Sequence, residues 1–412
     1  VASVDRRTAV PVAPTRRPGV PAPRTGGPDS PAGRADRARG GRGWAERMEA
    51  ATPGSRDRGV DALRALAILG VVLGHWLVTA WMHGPAGAIY ISSPLVHLPE
   101  ITPLSWVFQT LAVFFFVGGY AAARSLRSAA GYPVWVRGRM VRLSRPVGLP
   151  VLVWTGIAAG MALHGMPYGT VRALLLPAVA PVWFLAVFAA LTAATPLLLR
   201  ARPGVVAVSA GAVVLAVDVV RFGLDGPSWL GWANLAAGWL VPYTLGVGWA
   251  GGAFASRRTA VGLVVGGAAG AVALIAGFGY PASMVGVTGA KVSNLSPPSL
   301  AAVCFGVAQM GLALLAREPL ARLMRRPRLW AAVAVVNLSA MTIFLWHQTV
   351  LVGTALAALR FGDVPGLLAP PVEPAWLLCR LAWLPVLAAL LASALLPVFI
   401  RRRFNDRVSS SA

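Results

Sequence analysis

Residues 61–82 read Asp61-Ala-Leu-Arg64-Ala-Leu-Ala-Ile-Leu-Gly-Val-Val-Leu-Gly-His75-Trp-Leu-Val-Thr-Ala-Trp-Met82. The run is apolar apart from three ionisable side chains. It is as long as the ~20 residues that carry a helix across the hydrocarbon core of a bilayer. Nine further stretches of this kind follow, at 103–123, 146–163, 181–199, 204–220, 229–250, 259–280, 300–316, 330–356 and 375–400. The sequence therefore predicts an all-α, polytopic bundle of about ten transmembrane helices. Bulk composition agrees: of 412 residues 57% are hydrophobic and 12% charged, against about 25% charged in soluble domains.

Charge placement orients the bundle. If the amino-terminal segment is inside, 31 of the 37 basic residues fall on inner segments, and the five outer loops hold only Arg172, Arg221, Lys291 and Arg360. That asymmetry is the positive-inside rule, and it predicts both termini in the cytoplasm of a multi-pass membrane protein. It also accounts for the net charge of +23. The basic residues flank spans rather than forming an aromatic-interleaved surface, so nucleic acid is not an expected partner and the lipid bilayer is. Residues 1–58, rich in Pro, Arg, Ala and Gly, contain too little apolar surface to offset their ordering entropy and no apolar stretch of signal-peptide type. They read as a disordered basic tail, 59–400 as the membrane domain and 401–412 as a short basic tail. Cys304 and Cys379 sit in apolar runs without metal-ligand spacing, and no metal site is expected.

Ionisable groups inside spans cost ~2.5–3.5 kcal/mol each at a helix centre and point to function. Those here are Asp61, Arg64, His75, Asp218, His347 and Arg380. Asp218 lies three residues before Arg221, which suggests a local ion pair; Arg380, near a span end, is placed to snorkel. Arg64 and His75 are eleven residues apart, hence on one helix face with the histidine ~16 Å farther along the axis, near mid-membrane. Asp61 and Arg64, three apart, suit a pair at the inner interface. His347 closes the run Asn337-Leu-Ser339-Ala-Met-Thr342-Ile-Phe-Leu-Trp-His347. Counted from the start of its span it lies ~26 Å up, toward the outer face and at a different depth from His75. An imidazole at mid-membrane is suited to proton transfer at neutral pH. After the second span, Arg139, Arg142 and Arg145 recur every three residues, a spacing that puts guanidinium forks on one helical face as phosphate binding would use them.

These residues carry a resemblance to the membrane acyltransferase-3 family, which O-acylates envelope glycans, lipids and some secondary metabolites. The family's arginine–ten residues–histidine is matched by Arg64 and His75, and its arginine-x-x-arginine by Arg139 and Arg142. Its Phe-Phe-x-x-Ser-Gly-Phe stretch is similar to Phe114 through Tyr120, with Gly118 where the family usually has serine. Its Trp-Phe-Leu is met by Trp183, Phe184 and Leu185, and its late Ser…Tyr-Leu-x-His by Ser339 through His347. The resemblance implies transfer of an acyl group, often acetyl, from cytoplasmic acyl-CoA to a hydroxyl of a glycan, lipid or metabolite acceptor, with no permanently bound cofactor. It implies His75 and Arg64 as catalytic, Arg139 and Arg142 as holders of the CoA phosphates, and Asp61, Trp183 and His347 as substrate-binding. Loops 164–180 and 281–299 are the expected carriers of acceptor specificity. A transporter or flippase, or a family member without chemistry, are the alternatives.

Overall fold

The computed structural model describes residues 43–84, 88–254 and 256–410, with side chains as far as residue 394. The chain divides into two units, residues 1–51 and 52–412. In the first, most of the expected basic tail lies outside the described residues. Within it α1, Trp44–Ala50, is helical; Ala, Glu, Met and Arg are strong helix formers, and order there was not expected.

The second unit is the membrane bundle. Its elements are α2 (Arg58–Val78), a hairpin of β1 (Ala80–His83) and β2 (Ile89–Ser92), α3 (Pro94–His97), α4 (Pro103–Phe108), α5 (Leu111–Arg127), α6 (Tyr132–Ser144) and α7 (Gly148–Leu163). There follow α8 (Tyr168–Val179), α9 (Pro181–Ala193), α10 (Thr195–Arg200), α11 (Pro203–Asp218), α12 (Gly231–Ala250), α13 (Arg257–Phe278), α14 (Leu300–Leu323), α15 (Pro327–Ala358) and α16 (Pro374–Ser410). Among the described residues nine helices, or runs of abutting helices, are long and apolar enough to cross a membrane.

The tenth expected span is α12. It has the length, 20 residues, but its Gly, Trp, Tyr, Asn and Pro content makes it less apolar, and 13 of those residues are buried. By contrast α13 buries only three of its 22 and offers Val, Leu and Ile to lipid. A helix enclosed by protein need not be lipophilic, whereas a peripheral one must be. The seat of α12 against α5 depends on two glycines: a Cβ at Gly119 would collide with the Tyr243 carbonyl, and one at Gly246 with the Phe116 carbonyl. Such small residues let helix backbones approach closely.

Two local features depart from the expected parse. The first span ends at Val78, not Met82, because Thr79 turns extended and β1 begins. The strands pair antiparallel with Trp81 opposite Ile91. Trp81 is fully buried, its indole donating to the Ala173 carbonyl (3.0 Å), and the Ile89 amide donates to Thr170 Oγ1 (3.0 Å). These bonds pin the hairpin on α8, which itself occupies most of the segment expected to be the loop 164–180.

Candidate active site

The site is built by α2 and α15, which run side by side in the same direction. Near their starts Arg64 Nε donates to Asn337 Oδ1 (2.9 Å), Asn337 Nδ2 donates to the Asp61 carbonyl (2.8 Å), and Arg64 Nη2 bonds Asp61 Oδ1 (2.5 Å). Arg56 also pairs with Asp61. The expected Asp61–Arg64 pair is thus present and is tied to a second helix. Asn337 was given no role from the sequence. Its signal was the spacing: Asn337 precedes His347 by ten residues, as Arg64 precedes His75 by eleven.

One helix-length farther on, His75 Nδ1 lies 2.8 Å from His347 Nε2. The rings stack at 12° with centroids 5.0 Å apart. This corrects the expectation that the two histidines sit at different depths. Distances counted from unlike origins, Arg64 for His75 and the span start for His347, do not give relative depth. From their own helix starts, Arg58 and Pro327, they lie 17 and 20 residues along and meet side by side. Among the described residues no group of three or more His, Cys, Asp or Glu comes together.

The hydrogen-bond partners assign the tautomers. His347 Nδ1 is 2.7 Å from the Phe344 carbonyl, an oxygen that only accepts, so this nitrogen carries the proton. In neutral His347 the Nε2 lone pair then accepts from His75 Nδ1–H, which leaves Nε2 of His75 as the nitrogen with a free lone pair. Trp76 Nε1 donates to the His347 carbonyl (2.9 Å) and fixes the packing of the two helices at this level.

His75 lines a cavity of about 280 Å³. Trp183 and Phe184 from α9, Phe344 and Gln348 from α15, Ser92 from β2 and Gln109 also face it. Of the described residues lining it, His75 alone is ionisable. Both segments expected to bear on the acceptor contribute: Pro177 from 164–180, and Val285, Gly286, Thr288, Leu295 and Ser296 from 281–299. Gln109, Gln348 and the hairpin serines were missed, since single amides and hydroxyls in apolar surroundings carry no motif. His347 itself is fully buried behind His75 and does not line the cavity.

Arg139 and Arg142 lie apart from the cavity on α6. Arg139 is half-buried, its Nη2 on Ser125 Oγ (2.5 Å) and its guanidinium over the Trp135 ring at 5.6 Å. Arg142 is exposed, with Nε on the Gly138 carbonyl (3.0 Å).

Two expectations about buried charge are corrected. Asp218 does not pair with Arg221. Its Oδ1 accepts from Asn234 Nδ2 (2.8 Å), and its Oδ2 from Tyr280 OH (3.0 Å) and the Leu300 amide (2.7 Å). Three donors from the tertiary structure outcompete an i,i+3 neighbour. Arg380 does not snorkel: it is fully buried, with Nη2 on the Thr79 carbonyl (2.7 Å) and its guanidinium 4.7 Å from the Trp376 ring centroid.

Gly118 also finds its reason. A Cβ there would fall into the ring edge of Phe188, a residue of the aromatic cluster with Phe114, Phe115 and Phe184. The space a serine would need is filled by Phe188.

The fold defines a multi-pass membrane protein whose bundle holds a histidine pair beside a cavity. The family model described as an acyltransferase domain, acyltransferase-3, matches residues 57–402, and the chain belongs to that family. No curated protein and no solved structure matches it. The protein is accordingly a membrane acyltransferase.

Proposed function

We propose that the protein transfers an acyl group, acetyl in the simplest case, from cytoplasmic acyl-CoA to a hydroxyl of a glycan, lipid or metabolite acceptor seated in the cavity at His75. The observation that carries this is the His75–His347 pair. It leaves Nε2 of His75 as a base on the one ionisable side chain that lines the cavity among the described residues. In this reading Nε2 takes the acceptor's hydroxyl proton while that oxygen attacks the thioester carbonyl. The tetrahedral intermediate then expels the CoA thiolate, which recovers the proton from Nε2. While His75 is cationic, its Nδ1–H continues to donate to His347, which stays neutral. General-base catalysis of this kind is worth about 10²–10⁴-fold.

Arg64 lies ~16 Å along the helix from His75, too far to hold the same carbonyl. It steadies the pantetheine arm, with Asn337 and Asp61 fixing its planar fork, and Arg139 and Arg142 take the diphosphate. Trp183 gives the acceptor an apolar wall. Both chain ends and the donor share the cytoplasmic side of a bacterial membrane, and the loop 281–299 meets the acceptor.

The test is CoA release and product formation by protein in phosphatidylcholine nanodiscs, given acetyl-CoA and a panel of hydroxylated acceptors. Wild type should turn over with at least one acceptor, His75→Gln should lose ~10²–10⁴-fold, and Arg64→Lys should raise the KM for acetyl-CoA. If wild type releases no CoA with any acceptor, yet vesicle transport of a solute is abolished by His75→Gln, a transporter takes the place of the enzyme.

A further inference from the structure

Beyond Arg64, on the side away from His75, a second cleft of about 720 Å³ opens between residues 54–58, the end of α5 and the end of α14. Six arginines line it, Arg56, Arg58, Arg124, Arg317, Arg322 and Arg325, against Asp57 and Glu318. Asp57 is already committed. Its Oδ1 caps α2 at the Val60 amide (3.1 Å), and its Oδ2 accepts from Arg317 Nε (2.9 Å) and Nη2 (2.7 Å). Arg322 and Arg325, three residues apart, are exposed at the end of α14.

Topology signals place arginines near span ends, but they do not require three segments remote in sequence to converge on one concavity. A cleft with an excess of one sign, here six arginines against two acids, focuses its field and raises the local concentration of counter-ions. Guanidinium forks match phosphate oxygens in particular.

We propose that this cleft binds a phosphomonoester, and that its ligand is the 3′-phosphate end of the acyl-CoA donor. The assignment rests on the donor reading above. On α2, Arg58 is 17 residues from His75, about 25 Å along the axis. The donor's arm, from sulfur to the 5′ carbon of the ribose, is about seventeen bonds, roughly 20 Å when extended at backbone-like geometry. The ribose and an arginine side chain close the difference. Arg139 and Arg142 then meet the diphosphate, and the cleft takes the phosphate beyond it.

Two measurements on nanodisc-embedded protein separate this proposal from its basis. First, wild type should show a KM for acetyl-CoA ~10–100-fold below that for acetyl-3′-dephospho-CoA, as the loss of one or two charge-assisted contacts implies. The double variant Arg322→Gln/Arg325→Gln should raise the acetyl-CoA value to that of the dephospho analogue. A preference undiminished in the double variant overturns the proposal. Second, adenosine 3′,5′-bisphosphate should bind wild type by calorimetry, more weakly at high salt, and at least 10-fold more weakly to the double variant. If wild type fails to turn over but this binding difference stands, the donor reading fails and the phosphate cleft survives. If the bisphosphate does not bind, while phosphatidylglycerol in the disc stabilises wild type and not the double variant, the ligand is a lipid headgroup and the proposal falls.

Discussion

His347 Nε2 lies 2.8 Å from His75 Nδ1, and the other nitrogen of His347 is held by the Phe344 carbonyl of its own helix. The buried histidine therefore acts as a hydrogen-bond acceptor that selects one tautomer of the exposed-facing one. Replacement of His347 should consequently depend on whether the new side chain can accept.

Gln at 347 keeps a carbonyl within reach of His75 Nδ1–H, and Leu does not. His347→Leu should lose ~10²-fold in kcat, within the range for a positioned general base, while His347→Gln should stay within ~10-fold of wild type. Imidazole nitrogen NMR should find His75 protonated at Nδ1 in wild type and in His347→Gln, and a mixture of tautomers in His347→Leu. Equal kcat losses in the two variants with an unchanged tautomer would reduce His347 to packing.

Gly118 and Phe188 form a size-matched pair. Restoring the family's usual residue with Gly118→Ser should destabilise the protein by about 1–3 kcal/mol through overpacking. Phe188→Leu frees the space, and in the double variant most of that loss should be recovered. A thermal-denaturation double-mutant cycle in detergent measures the coupling; additive losses would show that Phe188 is not what excludes the serine.

Span positions were legible because hydropathy and charge asymmetry act over twenty residues at a time, so even α12, the least apolar of the expected spans, was located. The Arg64–His75 face was legible because both residues share one helix. What crosses between helices was not. The depth of His347 required the register of α15 against α2, which Asn337 sets and which spacing within either helix does not. Asp218 was matched to Arg221 because sequence shows near neighbours, while its actual partners lie 16, 62 and 82 residues away. The β1–β2 hairpin was hidden because Trp81 and Met82 continue an apolar run, and only the contact with α8 ends the helix at Val78.

The arginine distribution predicts the sidedness of the bundle, and direct measurement checks it. On a background with Cys304 and Cys379 replaced by Ala, Lys291→Cys should react with an impermeant thiol reagent applied to intact cells. Ser144→Cys and Ser256→Cys should react only once the membrane is opened. All three positions are exposed, so access to the reagent depends on side alone. Labelling of Ser144→Cys from outside would invert the predicted orientation and remove the basis for the proposed cytoplasmic donor site.

Asp218 is 1% exposed and joins Asn234 on α12 to Tyr280 and Leu300. The last two bracket 281–299, the loop that supplies Val285, Gly286, Thr288, Leu295 and Ser296 to the cavity. One carboxylate thus holds both ends of this cavity-lining loop, the proposed wall for the acceptor. Asp218→Ala leaves one buried donor, Asn234 Nδ2, and two partly buried ones, Tyr280 OH and the Leu300 amide, without their acceptor; the buried one alone costs about 1–3 kcal/mol if unrelieved, and the loop should loosen. Asp218→Asn with its oxygen at the Oδ2 position still accepts from the Leu300 amide and the Tyr280 hydroxyl, and its NH2 can donate to Asn234 once that amide flips to present Oδ1, so its effect should be smaller. The expected pattern is selective: the KM for the acceptor rises ~10-fold in Asp218→Ala, less in Asp218→Asn and Tyr280→Phe, while the KM for acyl-CoA stays within about twofold. Those fold-changes correspond to the loss of one net hydrogen bond of ~1.4 kcal/mol in holding the loop. If the KM for acyl-CoA rose in parallel with that for the acceptor, Asp218 would be supporting the bundle as a whole, and the loop would not be the acceptor's wall.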